Sequence, residues 1–67
     1  MGIREKFGKR VRKARLKRGF SQEELAHQAD SNRTYISDVE RGTRNPSIEV
    51  VERIAKALAV TMGDLLD

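Results

Sequence analysis

SQEELAHQADSNRTYISDVERG, from Ser21 to Gly42, reads as two short helices joined by a tight turn. Ser21 stands three residues ahead of Glu24, the spacing of a capping box. Its hydroxyl can accept from the backbone N–H of Glu24 while that glutamate reaches back to the cap. Phe20 holds the position before the cap, with Leu25 as its apolar partner one turn in. Leu25, Ala26 and Ala29 line the buried face of this helix, which ends near Asp30. The second helix starts at Ser31 or Asn32, either of which can cap it, and Gly42 stops it. Helices crossing steeply through a short turn need small residues where they touch, and Ala26 and Ala29 supply them. Leu25, Ile36 and Val39 fill the wedge, which leaves Arg33, Thr34, Ser37 and Asp38 on the opposite side of the second helix.

Outward from this unit the apolar spacing stays helical and no stretch alternates long enough to be a strand. The chain before it predicts a helix from about Arg4 to Arg18, with Phe7, Val11, Ala14 and the stem of Arg15 inward. Gly19 is placed to end that helix in a left-handed conformation. Beyond Gly42, Thr43-Arg44-Asn45-Pro46-Ser47 is a turn, and Ser47 caps a helix whose stripe is Ile48, Val51, Ile54, Ala55 and Leu58. A last helix, Thr61 to Leu66, is capped by Thr61 with Asp64 three residues on. The expected fold is all-α: five helices around one core, residues 1–67 forming one domain, with the two-helix unit at about 21–42.

Sixty-seven residues leave a thin stability margin, and the chain has no cysteine and one histidine, His27. Disulfides and a Cys/His metal site are therefore excluded, and tight packing and dimerisation remain. With no second ligand near it in sequence, His27 reads as a surface residue. The net charge is +4, but residues 1–20 hold nine of the fourteen Lys and Arg against the single acid Glu5. A basic end plus Arg33, Arg41 and Arg44 around the second motif helix reads as a footprint on a polyanion; a solvated lysine face is the plainer alternative. Without a Gly-rich phosphate loop or a Cys/His pair, the carboxylates on open helix faces make no catalytic set. No cofactor, metal or small-molecule ligand is expected. No apolar run reaches membrane-spanning length and no signal-peptide core follows the N-terminus, so a cytoplasmic protein with no membrane partner is expected.

Ser21-Gln22, Leu25-Ala26, Ala29, Ile36, Val39, Glu40-Arg41-Gly42, Arg44-Asn45-Pro46-Ser47 and Leu58 together resemble the phage-repressor (XRE) type of helix-turn-helix, over Phe7 to Leu66. Arg33-Thr34-Tyr35-Ile36-Ser37 is also similar to the recognition helix of controller proteins from restriction–modification systems. The resemblance implies a repressor-like DNA-binding domain and a nucleoid-associated transcriptional regulator, its recognition helix at about 32–41 in the major groove. Two positions depart from the pattern. Asp30 stands where glycine is usual and Ser31 where an apolar residue is usual, and both soften the turn.

For base reading the residues expected are Arg33, whose planar fork matches guanine O6 and N7, with Thr34 and Ser37 beside it. DNA-backbone partners expected are Gln22, Asn32, Tyr35, Arg44 and Asn45, contacts that fix register more than sequence. Gln22 either meets a phosphate or braces a recognition-helix side chain. Tyr35 either lies along the sugar–phosphate backbone or finishes the core. Arg10, Lys17 and Arg18 are further phosphate partners or plain solvated charge. The resemblance also implies a structural ion pair between Arg15 and Glu40, and in some relatives the region of Glu23 and Glu24 touches RNA polymerase; capping and solubility explain both glutamates without it. One recognition helix covers few base pairs, so a homodimer through Val50, Met62 and Leu66 on an inverted-repeat operator is expected. Related folds also serve as antitoxins and as transcriptional bridging modules, the alternative function.

Overall fold

The computed structural model describes residues 2–67, and among them every regular element is a helix. In order these are α1 (Ile3–Lys17), α2 (Gln22–Gln28), α3 (Arg33–Arg41), α4 (Ile48–Leu58) and α5 (Met62–Leu66). The all-α, five-helix architecture is the one expected, with boundaries within a residue or two of those read from pattern.

The starts are set by side chains. Ser21 Oγ accepts from Glu24 N–H at 3.0 Å and Glu24 Oε1 from Ser21 N–H at 2.9 Å. Thr61 and Asp64 repeat the arrangement at α5, both bonds at 3.0 Å. The Thr61 backbone N–H, then its hydroxyl, hold the Asp64 carboxyl below the usual carboxylate range. Asn32, rather than Ser31, caps α3: its Oδ1 accepts from Tyr35 N–H at 2.8 Å. Ser47 caps α4 in the same way.

Four helices end by one device. A left-handed residue follows each: Gly19 (φ 74°), Asp30 (54°), Gly42 (79°) and Ala59 (57°). The next N–H then returns to the carbonyl five residues back, Phe20 to Arg15, Ser31 to Ala26, Thr43 to Asp38 and Val60 to Ala55, at 2.8–3.1 Å. The turn at Asp30 thus closes as it would with glycine. Ala59, with neither glycine's freedom nor aspartate's local hydrogen bonding, carries the greater strain, about 1–2 kcal/mol. Ala59→Gly is therefore expected to stabilise the fold by about 1 kcal/mol, a rise in melting temperature of roughly 4–8 °C by calorimetry. Asp30→Gly should gain less, because aspartate tolerates this conformation better.

Phe7, Val11, Leu25, Ala26, Ala29, Ile36, Val39, Val51, Ile54, Ala55, Leu58 and Leu65 form one core. Ile48, expected in the stripe of α4, is 67% exposed. It occupies the first helical position of α4, and Val51 is the first residue of the stripe to be buried. Ala14 is only half-buried. Against this core α3 is held from two sides, by α1 and α2. Gly8 marks the crossing with α1: a Cβ there would lie 2.3 Å from the Val39 carbonyl oxygen and 2.7 Å from that of Glu40. The end of α2 is tied to α4 by Arg53, whose Nε donates to the Ala29 carbonyl at 3.0 Å.

Candidate nucleic-acid interface

Beneath α3 lies a polar hub. Arg15, from α1, donates through Nε and Nη2 to Oε2 and Oε1 of Glu40, near the end of α3, at 2.6 and 3.1 Å. The remaining Arg15 nitrogen, Nη1, donates to the Phe20 carbonyl at 2.8 Å. Gln22, opening α2, donates its Nε2 to Glu40 Oε1 at 3.1 Å. The two charged side chains are 9% and 4% exposed, so this is a desolvated, two-pronged pair. It joins α1, the α1–α2 turn, α2 and α3, and so fixes the angle at which α3 is presented. Of the two expectations for Gln22, the structure displays the brace: one amide hydrogen goes to Glu40, and the other lies outside that bond.

The outer face of α3 follows from sealing Ile36 and Val39, 0% and 1% exposed. Arg33 and Thr34 stand exposed on its first turn, and Arg33 enters no ion pair among the described residues. Ser37 is half-buried in a shallow groove shared with Arg12, Gln22 and Arg41. Asn32 is exposed, its side-chain oxygen engaged in the cap and its amide nitrogen outside that bond. Tyr35 packs partly against the core while the Arg44 guanidinium lies 4.8 Å from its ring centroid. The ring therefore does part of the core's work and also seats a cation. Asn45 is exposed beside Pro46.

Asp38 organises what surrounds it. Its Oδ1 pairs with Arg41 and its Oδ2 lies 3.4 Å from Arg44 Nε. Its backbone carbonyl accepts from Thr43 N–H at 3.0 Å and from Thr43 Oγ1 at 3.1 Å. The sequence placed Asp38 on the outer face but did not foresee this hub; the signal available was its spacing of three to Arg41 and six to Arg44. Arg53 and Arg12 were also unforeseen at the positions they take.

Elsewhere the expected residues scatter. Arg10 is half-buried, Lys17 is exposed, and Arg18 lies over the Phe20 ring at 5.2 Å. Glu24 is engaged in its cap, Glu23 is exposed, and His27 sits with both in an open groove that Arg33 also lines. Val50 and Met62 are half-buried and lean on the core, whereas Leu66 is 38% exposed. Leu66 shares an apolar groove with Ile3, Phe7, Pro46 and Val51. No helix among the described residues is long and apolar enough to cross a membrane.

Comparison with known proteins agrees with this geometry. The model of the family described as helix-turn-helix matches residues 11–65. The chain is 58% identical over 66 residues to control protein C.BamHI of Bacillus amyloliquefaciens, covering 97% of this chain and 82% of that protein. It is 41% identical over 64 residues to control protein C.MunI of a Mycoplasma species, covering 94% and 86%. Among solved structures, the restriction–modification controller protein C.AhdI from Aeromonas hydrophila matches with a TM-score of 0.89 at 41% identity, covering 91% of this chain and 88% of that one.

Proposed function

This chain belongs to the helix-turn-helix family of regulatory DNA-binding proteins, which are not enzymes, and from that premise we propose that it is a restriction–modification controller protein that binds an inverted-repeat operator as a dimer. In this reading α3 enters the major groove. Arg33 pairs with a guanine, Thr34 and Ser37 touch neighbouring base edges, and Gln22, Asn32, Tyr35, Arg44 and Asn45 hold the phosphates. The second copy docks through Val50, Met62 and Leu66.

One observation carries the reading: Arg33 is exposed, and without an ion-pair partner among the described residues, on the first turn of a helix whose opposite face is sealed. That turn is the part of such a helix that reaches base edges. The likeness to two control proteins and a restriction–modification controller supports the narrower assignment.

Selection of bound oligonucleotides from a random pool tests it. The expected result is an inverted repeat with half-sites about one helical turn apart. Salt-sensitive binding with no preferred sequence would favour an antitoxin or bridging role instead. Within the selected repeat, Arg33→Ala should flatten preference at one base position per half-site, a loss of roughly 1–3 kcal/mol of discrimination. Arg44→Ala should weaken all sequences more nearly alike. Sedimentation of a monomer at high micromolar concentration, without DNA, would count against the dimer.

A further inference from the structure

We propose that Asp38 is a specificity-determining residue: its carboxylate masks Arg41 and pre-positions Arg44, so that duplex of arbitrary sequence is held less tightly than the two arginines alone would hold it. The proposal rests on the DNA-reading assignment of α3. It starts from an awkward charge. Asp38 projects from the side of α3 away from Ile36 and Val39, where a bare carboxylate would face phosphates. Instead each of its oxygens is committed, Oδ1 to Arg41 and Oδ2 to Arg44, and its side chain is 19% exposed. The three groups together carry one net positive charge where the arginines alone would carry two.

The two arginines are held differently. Arg44 is fixed by three features: Asp38, the Tyr35 ring at 4.8 Å, and a loop anchored by Thr43 to the Asp38 carbonyl. The ring and the anchored loop hold it beside the carboxylate, so Asp38 positions Arg44 more than it masks it. Arg41 is 66% exposed and has Asp38 as its one ion-pair partner among the described residues. An exposed pair of this kind is weak enough to be exchanged for a phosphate. A phosphate seated in register by the base contacts of α3 can make that exchange, because its position persists. On arbitrary duplex no register persists, and Arg41 remains with Asp38. Masking thus lowers the sequence-independent part of binding, which counterion release dominates, and leaves the register-dependent part largely intact.

Asp38→Asn keeps the shape and the backbone contacts to Thr43 while removing the charge. Binding to a random-sequence 30-base-pair duplex is measured as a function of salt for the wild type and the variant. One additional phosphate contact steepens the log–log salt slope by about 0.9, which amounts to a gain of about eight-fold between 1 M and 0.1 M salt. Asp38→Asn is expected to show that steepening and that tighter binding, with an unchanged melting temperature. Asp38→Ser should behave likewise should the asparagine form fold poorly. In an Arg41→Gln background the gain should vanish, since the masked cation is no longer there. Equal binding by wild type and variant, weaker binding to all duplexes, or a gain that persists in the Arg41→Gln background would each overturn the proposal. A wild type that ignores duplex at every salt concentration would remove the underlying DNA-reading assignment, and the mask with it.

Discussion

Glu40→Ala is expected to cost the fold about 3–5 kcal/mol. Truncation leaves the Arg15 guanidinium in a site where its side chain is 9% exposed, with the Phe20 carbonyl as its remaining partner. The bulk of the penalty is this uncompensated charge rather than the worth of the bond. A chain of this length has a total stability of roughly 3–10 kcal/mol, so the variant should lose about half or more of it and unfold at a much lower urea concentration. Urea denaturation followed by far-ultraviolet circular dichroism measures the loss. A paired replacement, Arg15→Met with Glu40→Leu, removes both charges together and should recover most of the stability, because a well-packed apolar pair often matches a buried ion pair. Failure of the pair to recover, with Glu40→Ala alone mild, would mean that the hub contributes through Gln22 and the helix angle instead.

Gly8→Ala is the second large effect, and its direction opposes propensity. Alanine in an exposed helix interior gains about 1 kcal/mol over glycine. Here its methyl would sit 2.3 Å from the Val39 carbonyl oxygen and 2.9 Å from the Glu40 carbonyl carbon. Those are backbone atoms in a helix, with no rotamer to turn aside, so α1 and α3 must move apart. Overpacking costs about 1–3 kcal/mol, occasionally more, and a clash with two backbone carbonyls belongs at the upper end, so a net loss of about 2 kcal/mol is expected in the same urea titration. Gly63 provides the control. A Cβ there meets its nearest neighbour at 3.5 Å, on the Asp67 side chain, and Gly63→Ala should be neutral or slightly stabilising.

The legible features were those whose cause is local. Ser21 with Glu24 and Thr61 with Asp64 announce helix starts because cap and partner lie within one turn of each other. The buried face of the motif was readable because Leu25, Ala29, Ile36 and Val39 repeat at helical spacing. What resisted reading depends on partners distant in sequence. Gly8 registers as a helix weakness until α3 is seen pressing on it. Arg53 looks like solvated charge until the Ala29 carbonyl is found beside it. Asp38 likewise reads as one more acid on the outer face of α3 until two arginines converge on it. Ile48 fits the stripe of α4 by period, but period alone cannot tell that burial begins only at Val51. Leu65, in a helix of five residues, offered too short a run for any period to select it for the core.

The four left-handed closures have a kinetic corollary. Each redirects the chain by a bond spanning five residues and can close locally, whereas the core is completed by α1 meeting α3 and α5. A small all-helical chain closed by such turns should refold in a single exponential phase within about microseconds to milliseconds, fast enough for temperature-jump relaxation to resolve.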